Sequence, residues 1–255
     1  MIKLEKILSR KNEYIRFLRS LSSDAVFRTE RGEFVCDGMK LLNEALSFNA
    51  EVTGILWRET PEAVAVPSYV RQCCASSDVY DFVSPLKNSR GPLFTVKIKS
   101  ALPISADKSI IVLDSVQDPG NVGTVIRTAN AFNIGTVILT GDCADLYNPK
   151  TVRATMGAIF RQNVQSMTYE ELEAFLTLNN IPLYGAALSA ESEDIRAVIG
   201  DAVACAIGSE GKGLSETILN ICSKKIIIPM NPDSESLNAA VAASVIMWEL
   251  SRREL

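Results

Sequence analysis

The chain has 255 residues, 47% apolar and 22% charged, enough to build one large domain or two ordinary ones around packed cores. The formal charge of −4 is uneven: residues 1–100 carry 15 basic and 12 acidic side chains, residues 101–255 carry 11 and 18. Six cysteines without a CxxC pair, no histidine, no apolar run of the roughly 18–20 residues that cross a bilayer and no signal-peptide pattern near residue 1 exclude the common disulfide, metal and membrane classes, so a cytoplasmic protein with no metal and no membrane partner is expected.

In chain order, Ile2, Leu4, Ile7, Leu8, Ile15, Leu18 and Leu21 recur at helical spacing and predict an amphipathic helix over residues 2–21. Residues 31–38, RGEFVCDG, read as a short strand entering a turn, with Asp37 capping a helix to about Phe48. A strand is expected over 52–57, a helix over 61–74, a strand over 79–82, a helical turn from Pro85 and a strand over 94–98. This alternation predicts a small α/β domain over residues 1–100. Its first 31 residues hold eight basic and four acidic side chains, so a polyanion would dock here rather than on the acidic second half.

Residues 101–108 form the expected linker, and 109–255 the second domain. Ser109-Ile110-Ile111-Val112-Leu113 is the continuous apolar run of a buried parallel strand. Strands follow over 136–139, 164–167, 182–186, 202–207 and 225–228. Helices are expected after Asp118 to about Phe132, over 149–160 and 169–178, from Leu214, and at the C-terminal end. Repeated βα units with short connections predict a mostly parallel sheet covered on both faces.

Such sheets bind ligands beyond the carboxyl ends of their strands. Residues 202–250 offer two strands that end in loops of small and polar residues, and so form a cradle. Gly208-Ser209-Glu210-Gly211-Lys212-Gly213 is neither a Walker A loop nor a dinucleotide fingerprint, because the glycine spacing is wrong for both and Glu210 would repel a pyrophosphate. Gly120, Gly123 and Arg127 recur on one helical stripe, with Val122, Ile126 and Ala129 on the opposite one. Two glycines lower helix stability and leave room beside Arg127 for a substrate chain. Asn121 and Ser236 are residue types that cap helices. The small face Ala239, Ala240, Ala242 and Ala243 permits close approach of another element.

Three blocks together carry a resemblance. They are Leu113-Asp114-Ser115-Val116-Gln117-Asp118-Pro119-Gly120-Asn121-Val122-Gly123-Thr124 with Ile126-Arg127-Thr128-Ala129; Ile207-Gly208-Ser209-Glu210-Gly211-Lys212-Gly213-Leu214-Ser215; and Ile228-Pro229-Met230 with Ser236-Leu237-Asn238-Ala239-Ala240-Val241-Ala242. In order and spacing they resemble the SpoU (TrmH-type) RNA 2′-O-ribose methyltransferases of the SPOUT superfamily, over residues 109–250. Residues 1–100 resemble, more loosely, that family's N-terminal substrate-binding domain, itself similar to RNA-binding ribosomal proteins. Arg31-Gly32-Glu33-Phe34 and Asp37-Gly38 fit, whereas Asn88-Ser89-Arg90-Gly91 replaces a Pro-Gln-Gly turn.

The resemblance implies a C-terminal SPOUT domain with a deep trefoil knot, S-adenosylmethionine as cofactor, RNA (ribosomal RNA first) as partner, and a homodimer through the knotted domain. It implies Gly208, Ile228, Leu237 and Met230 as cofactor contacts, and Arg127, Asn121, Glu210 and Asn238 as the catalytic set. Lys150, Arg153, Arg161 and Ser236 match positions that hold RNA. A tRNA target, or a non-catalytic RNA-binding protein on the same scaffold, are the alternatives.

Overall fold

The computed structural model describes residues 4–197, 202–231, 233 and 236–252. They form two compact units: residues 1–100 with 145–160, and residues 101–144 with 161–255. The segment 145–160, which the sequence reading keeps in the second domain, therefore belongs with the first unit.

The first unit holds β1 (Glu5–Ile7), α1 (Glu13–Ser23), α2 (Ala25–Arg31), β2 (Glu33–Asp37), α3 (Met39–Ser47), β3 (Val52–Arg58), β4 (Arg71–Ala75), α4 (Ser77–Val83) and β5 (Leu93–Lys97). The strands lie in the order β1-β4-β3-β5-β2. β1 and β3 run parallel to β4, while β5 is antiparallel to β3 and β2. One core packs α1 and α4 on the sheet through Ile15, Leu18, Leu21, Leu56, Val79 and Leu93. Another packs α3 and the segment 145–160 through Leu42, Ala45, Trp57, Phe94, Val152 and Phe160.

Three local readings change here. The helix expected from residue 2 begins only at Glu13, where Asn12 accepts the Tyr14 N–H; residues 5–7 pair with β4 instead. The helix expected over 61–74 is coil followed by β4, since Pro61 and Pro67 interrupt any helical hydrogen-bond ladder. The strand expected over 79–82 is α4: the alternation of Val79 and Asp81 mimics a strand, but Val79, Tyr80 and Val83 form one helical core stripe. Asp37 does not cap α3. Gly38 occupies that position at φ +111°, and the Asp37 carboxylate accepts the Ser84 and Ser89 hydroxyls.

The second unit holds β6 (Ile110–Asp114), α5 (Pro119–Ala131) and β7 (Thr136–Thr140). After α6 (Pro149–Ala154), which clusters with the first unit, it continues with β8 (Asn163–Ser166), α7 (Tyr169–Leu178), β9 (Leu183–Ala186), β10 (Glu193–Asp194), β11 (Ala204–Gly208), α8 (Glu216–Ile221), β12 (Lys224–Ile227) and α9 (Ala239–Ser251). Its seven strands, in the order β10-β12-β9-β11-β6-β7-β8, are parallel to every paired neighbour. β6, β7 and β11 are apolar and buried on both faces, as helix-covered parallel strands must be. The strand order reverses between β6 and β11, so their loops diverge and leave a crevice at the carboxyl ends. The helix expected over 149–160 stops at Ala154; Met156 and Gly157 turn through positive φ before a short 3₁₀ turn at 158–160. No helix among the described residues is long and apolar enough to cross a membrane.

Candidate active site

The site grows from the carboxyl ends of β6 and β11, which pair directly, Gly208 lying in register with Asp114. After Gly208 the chain makes a tight loop closed by two backbone bonds between Ser209 and Gly213, 3.1 and 2.8 Å. A Cβ on Gly208 would fall on the Gly213 carbonyl, and Gly213 sits at φ +69°, so both positions need glycine. The far end of the loop is tied to β6 as well: the Asp114 carboxylate, fully buried, accepts the Ser215 N–H at 2.6 Å and the Tyr169 hydroxyl at 2.9 Å. Both ends of the loop thus hang from one residue of a central strand.

This loop forms one wall of a 390 Å³ cavity. Gly208, Ile228, Met230 and Leu237, the four expected cofactor contacts, all line it. Ser236, expected to touch RNA, lines this cavity too. Ala187, Leu188, Leu214 and Leu219 are among the further lining residues outside the expected cofactor contacts; the signal for the first two was their place just beyond β9, between β11 and β12. Apolar branched walls, a close-approach glycine and the backbone edges of three strand ends suit a flat heteroaromatic base joined to a flexible polar chain. A second hollow of 360 Å³ shares Ser209, Glu210 and Lys212 with the first and is mostly polar, lined by Ser115, Gln117, Asp118, Asn121 and Asp142 together with Val116 and Gly211.

Three of the four expected catalytic residues meet between these hollows. Glu210 Oε1 accepts from Asn121 Nδ2 at 2.9 Å, from Asn238 Nδ2, and from the Ala239 N–H at 3.4 Å. Asn238 Nδ2 also donates to Asn121 Oδ1 at 3.2 Å, while Asn238 Oδ1 caps α9 by accepting the Ala240 and Val241 N–H groups. Asn121 does not cap α5; Asp118 does, through the Asn121 N–H at 2.8 Å, which leaves the Asn121 amide for the triad. Ser236 caps nothing, Asn238 holding that place.

Arg127 stands apart from the triad. It is exposed on α5 and has no hydrogen-bond or ion-pair partner among the described residues. Gly123, on the same stripe, is buried, so the stripe is open at Arg127 and closed one turn earlier. Of the expected RNA contacts, Lys150 and Arg153 are exposed on α6 in the first unit, and Arg161 lies in the second, bonded to Asn130 at 2.8 Å. The cysteines near the sheet ends offer no base: burial pushes the Cys222 thiol up to about 11 and the Cys205 thiol up to about 12.

Comparison with known proteins decides the family. The sequence profile of the SpoU rRNA Methylase family matches residues 108–248. The chain belongs to that family. It is similar to the 23S rRNA (guanosine(2553)-2′-O)-methyltransferase RlmP of Bacillus subtilis, 29% identical over 256 residues that span 97% of this chain and 99% of the relative. The structure of a putative RNA methyltransferase of the TrmH family from Porphyromonas gingivalis superposes with a TM-score of 0.84 at 29% identity, covering 94% of this chain and 97% of that one. The AdoMet-bound rRNA methyltransferase from Sinorhizobium meliloti shares the fold, with a TM-score of 0.86 at 23% identity over 99% of both chains. In this SpoU chain, then, the three motif blocks recognised in sequence converge on one crevice.

Proposed function

We propose that the chain methylates a ribose 2′-hydroxyl of RNA with S-adenosylmethionine as methyl donor, and that its target is ribosomal RNA. The observation that carries this reading is the Asn121–Glu210–Asn238 triad, which stands between an apolar cavity fit for an adenosine and a polar hollow open to a second ligand. Membership of the SpoU family and the activity named for the B. subtilis relative support it.

S-adenosylmethionine, when bound, supplies an electrophilic methyl group on a sulfonium. Gly208, Ile228, Leu237 and Met230 would hold it, the glycine by letting backbone approach and the others by walling the base. Transfer would join the ribose 2′-oxygen to the methyl carbon as the S–C bond breaks, with the thioether as leaving group and the hydroxyl proton passing to water. Charge on the sulfonium is lost in this step, so positioning supplies much of the acceleration, with roughly 7–11 kcal/mol available to proximity. The triad fixes the loops of β6 and β11 against the start of α9, and so fixes the distance between donor and acceptor sites. A guanidinium donates hydrogen bonds and accepts none, so Arg127 is given no proton-abstracting role. Its role is to orient a phosphate and stabilise developing charge on the 2′-oxygen.

We read the first unit as the RNA-docking domain, with Lys150 and Arg153 as phosphate contacts and Arg161 and Ser236 as contacts from the second. The second unit carries the knotted topology of its superfamily, and the protein acts in the cytoplasm as a homodimer. The dimer reading is supported by Val241, Val245 and Trp248, which form an exposed apolar stripe on α9 at i, i+4 and i+7. The small face of the same helix is spent within the chain, Ala239, Ala240 and Ala243 being buried.

Transfer of labelled methyl from S-adenosylmethionine to ribosomal RNA and to tRNA, followed by mapping of ribose methylation, tests the reading. Label on ribosomal RNA sustains it. Label on tRNA alone moves the target, and cofactor binding without transfer to any RNA leaves the non-catalytic scaffold.

A further inference from the structure

The first unit carries a chain of ring contacts that the reaction does not use. The Arg71 guanidinium lies 4.5 Å from the Tyr14 ring centroid, Tyr14 and Phe17 are stacked at 6.3 Å, Phe17 meets Phe27 edge-on at 5.9 Å, and Arg31 lies 5.1 Å over Phe27. Across α1, Arg19 and Arg10 both cover Phe82, at 4.1 and 5.0 Å. Between these flanks the crest of α1 presents Arg16, exposed and without a partner among the described residues. Arg19 and Arg31 are equally exposed and make no ion pair among the described residues. Tyr14, Ile15, Leu18 and Leu21 supply the buried core of this helix, and Phe17, Phe27 and Phe82 pack against that core while staying partly open to solvent, beneath a basic outer layer.

A 300 Å³ hollow opens beside the ladder, lined by Tyr14, Phe17, Arg71, Thr53, Thr95 and two carboxylates, Glu13 and Glu33. Gly54 makes the room: a Cβ there would collide with the Tyr14 hydroxyl. Glu33 is already neutralised by Lys97 at 2.7 Å and accepts the Thr53 hydroxyl. The hollow therefore offers the edge of the Phe17 ring, a guanidinium plane and hydrogen-bond acceptors, which suit a nucleobase and not a phosphate. Phosphates are served by the exposed arginines, Arg16 on the crest and Arg19 and Arg31 on its flanks. Bases in a duplex cannot reach such a hollow, whereas unstacked bases can lie on aromatic and guanidinium planes.

We propose that the α1–α2 face of the first unit binds an unpaired stretch of RNA, stacking bases on Phe17 and the Arg71 guanidinium and holding the backbone with Arg16, Arg19 and Arg31. This rests on the reading of RNA as substrate. It places a contact on the opposite side of the five-stranded sheet from the segment that bears Lys150 and Arg153.

The test uses the full chain and two fluorescein-labelled probes, single-stranded oligoadenylate and an RNA duplex, followed by anisotropy across a salt series. The triple variant R16A/R19A/R31A is expected to bind the single strand about tenfold more weakly, with a log–log salt slope shallower by about two, three lost contacts at ~0.7 each. Duplex binding should change little, and S-adenosylmethionine affinity by calorimetry should not change. The single variant Arg16→Ala, which removes no intramolecular contact, should show a third of the slope change. Isotherms and slopes that superimpose on wild type would overturn the proposal, as would a wild-type chain with no preference for the single strand. If that happens while methyl transfer to RNA persists, the docking face alone is wrong; absence of transfer to any RNA defeats the underlying reading instead.

Discussion

Gly208 tolerates no side chain, because its Cβ position is filled by the Gly213 carbonyl and the Leu214 N–H. Gly208→Ala must therefore open the Ser209–Gly213 loop, at about 1–3 kcal/mol for overpacking. Calorimetric titration should show S-adenosylmethionine affinity falling at least tenfold while the far-ultraviolet spectrum is kept; undiminished affinity would remove this loop from the cofactor site. Arg127 differs in kind, since it supports no structure. Arg127→Lys keeps the charge and loses the planar fork. Cofactor affinity should be unchanged and turnover reduced by about a hundredfold, a loss on the scale of one transition-state donor. Near-normal turnover would strip Arg127 of its role. Both residues were visible in sequence because motif context singles them out. Asp114 was not, as nothing in its spacing announces that its carboxylate ties Ser215 and Tyr169 to β6.

At the scale of elements, α9 depends on a single polar residue for two tasks. Asn238 Oδ1 caps the helix and Asn238 Nδ2 completes the triad. Asn238→Ala should lower stability by about 1 kcal/mol through the lost cap and also impair turnover. Asn238→Ser keeps a capping oxygen, so thermal melting should return close to wild type while turnover stays low; recovery of both would mean that the triad is only a cap. In the first unit, Arg28 of α2 is buried, donating to the Leu21 carbonyl at 2.6 Å and pairing with Asp145. Arg28→Met would remove the side-chain donor from the Leu21 carbonyl and from Asp145 Oδ2, while Asp145 Oδ1 keeps the Tyr147 N–H. A fully buried pair broken in this way costs about 3–5 kcal/mol, but the Asp145 side chain is 32% exposed, so about 2 kcal/mol is expected in urea unfolding. An unchanged midpoint would show that water replaces the guanidinium. Elements with long apolar periodicity, β6, β7, α7 and α9, were legible from sequence. β4 and α4 were not: RQCCA is short and half polar, and SDVYDFV fits both periods until the β3 and α1 surfaces select one.

At the scale of the molecule, the exposed stripe Val241, Val245 and Trp248 is the surface that the dimer reading must bury. Light scattering at micromolar concentration should give twice the chain mass. The double variant V241E/V245E should give the monomer mass with secondary structure retained, and a wild-type monomer would count directly against the dimer. Chain connectivity at this scale escaped the sequence reading. The segment 145–160 follows β7 without any break in composition, yet its Val152 and Phe160 complete the core beneath α3. Long-range partnership of that sort leaves no periodic trace.

The triad joins residues 89 and 117 positions apart, Asn121 to Glu210 and Asn121 to Asn238. Its last member opens the final helix. On the proposed reading, a chain cut before Asn238 keeps Asn121 and Glu210 but loses the partner they share, so it should transfer no methyl.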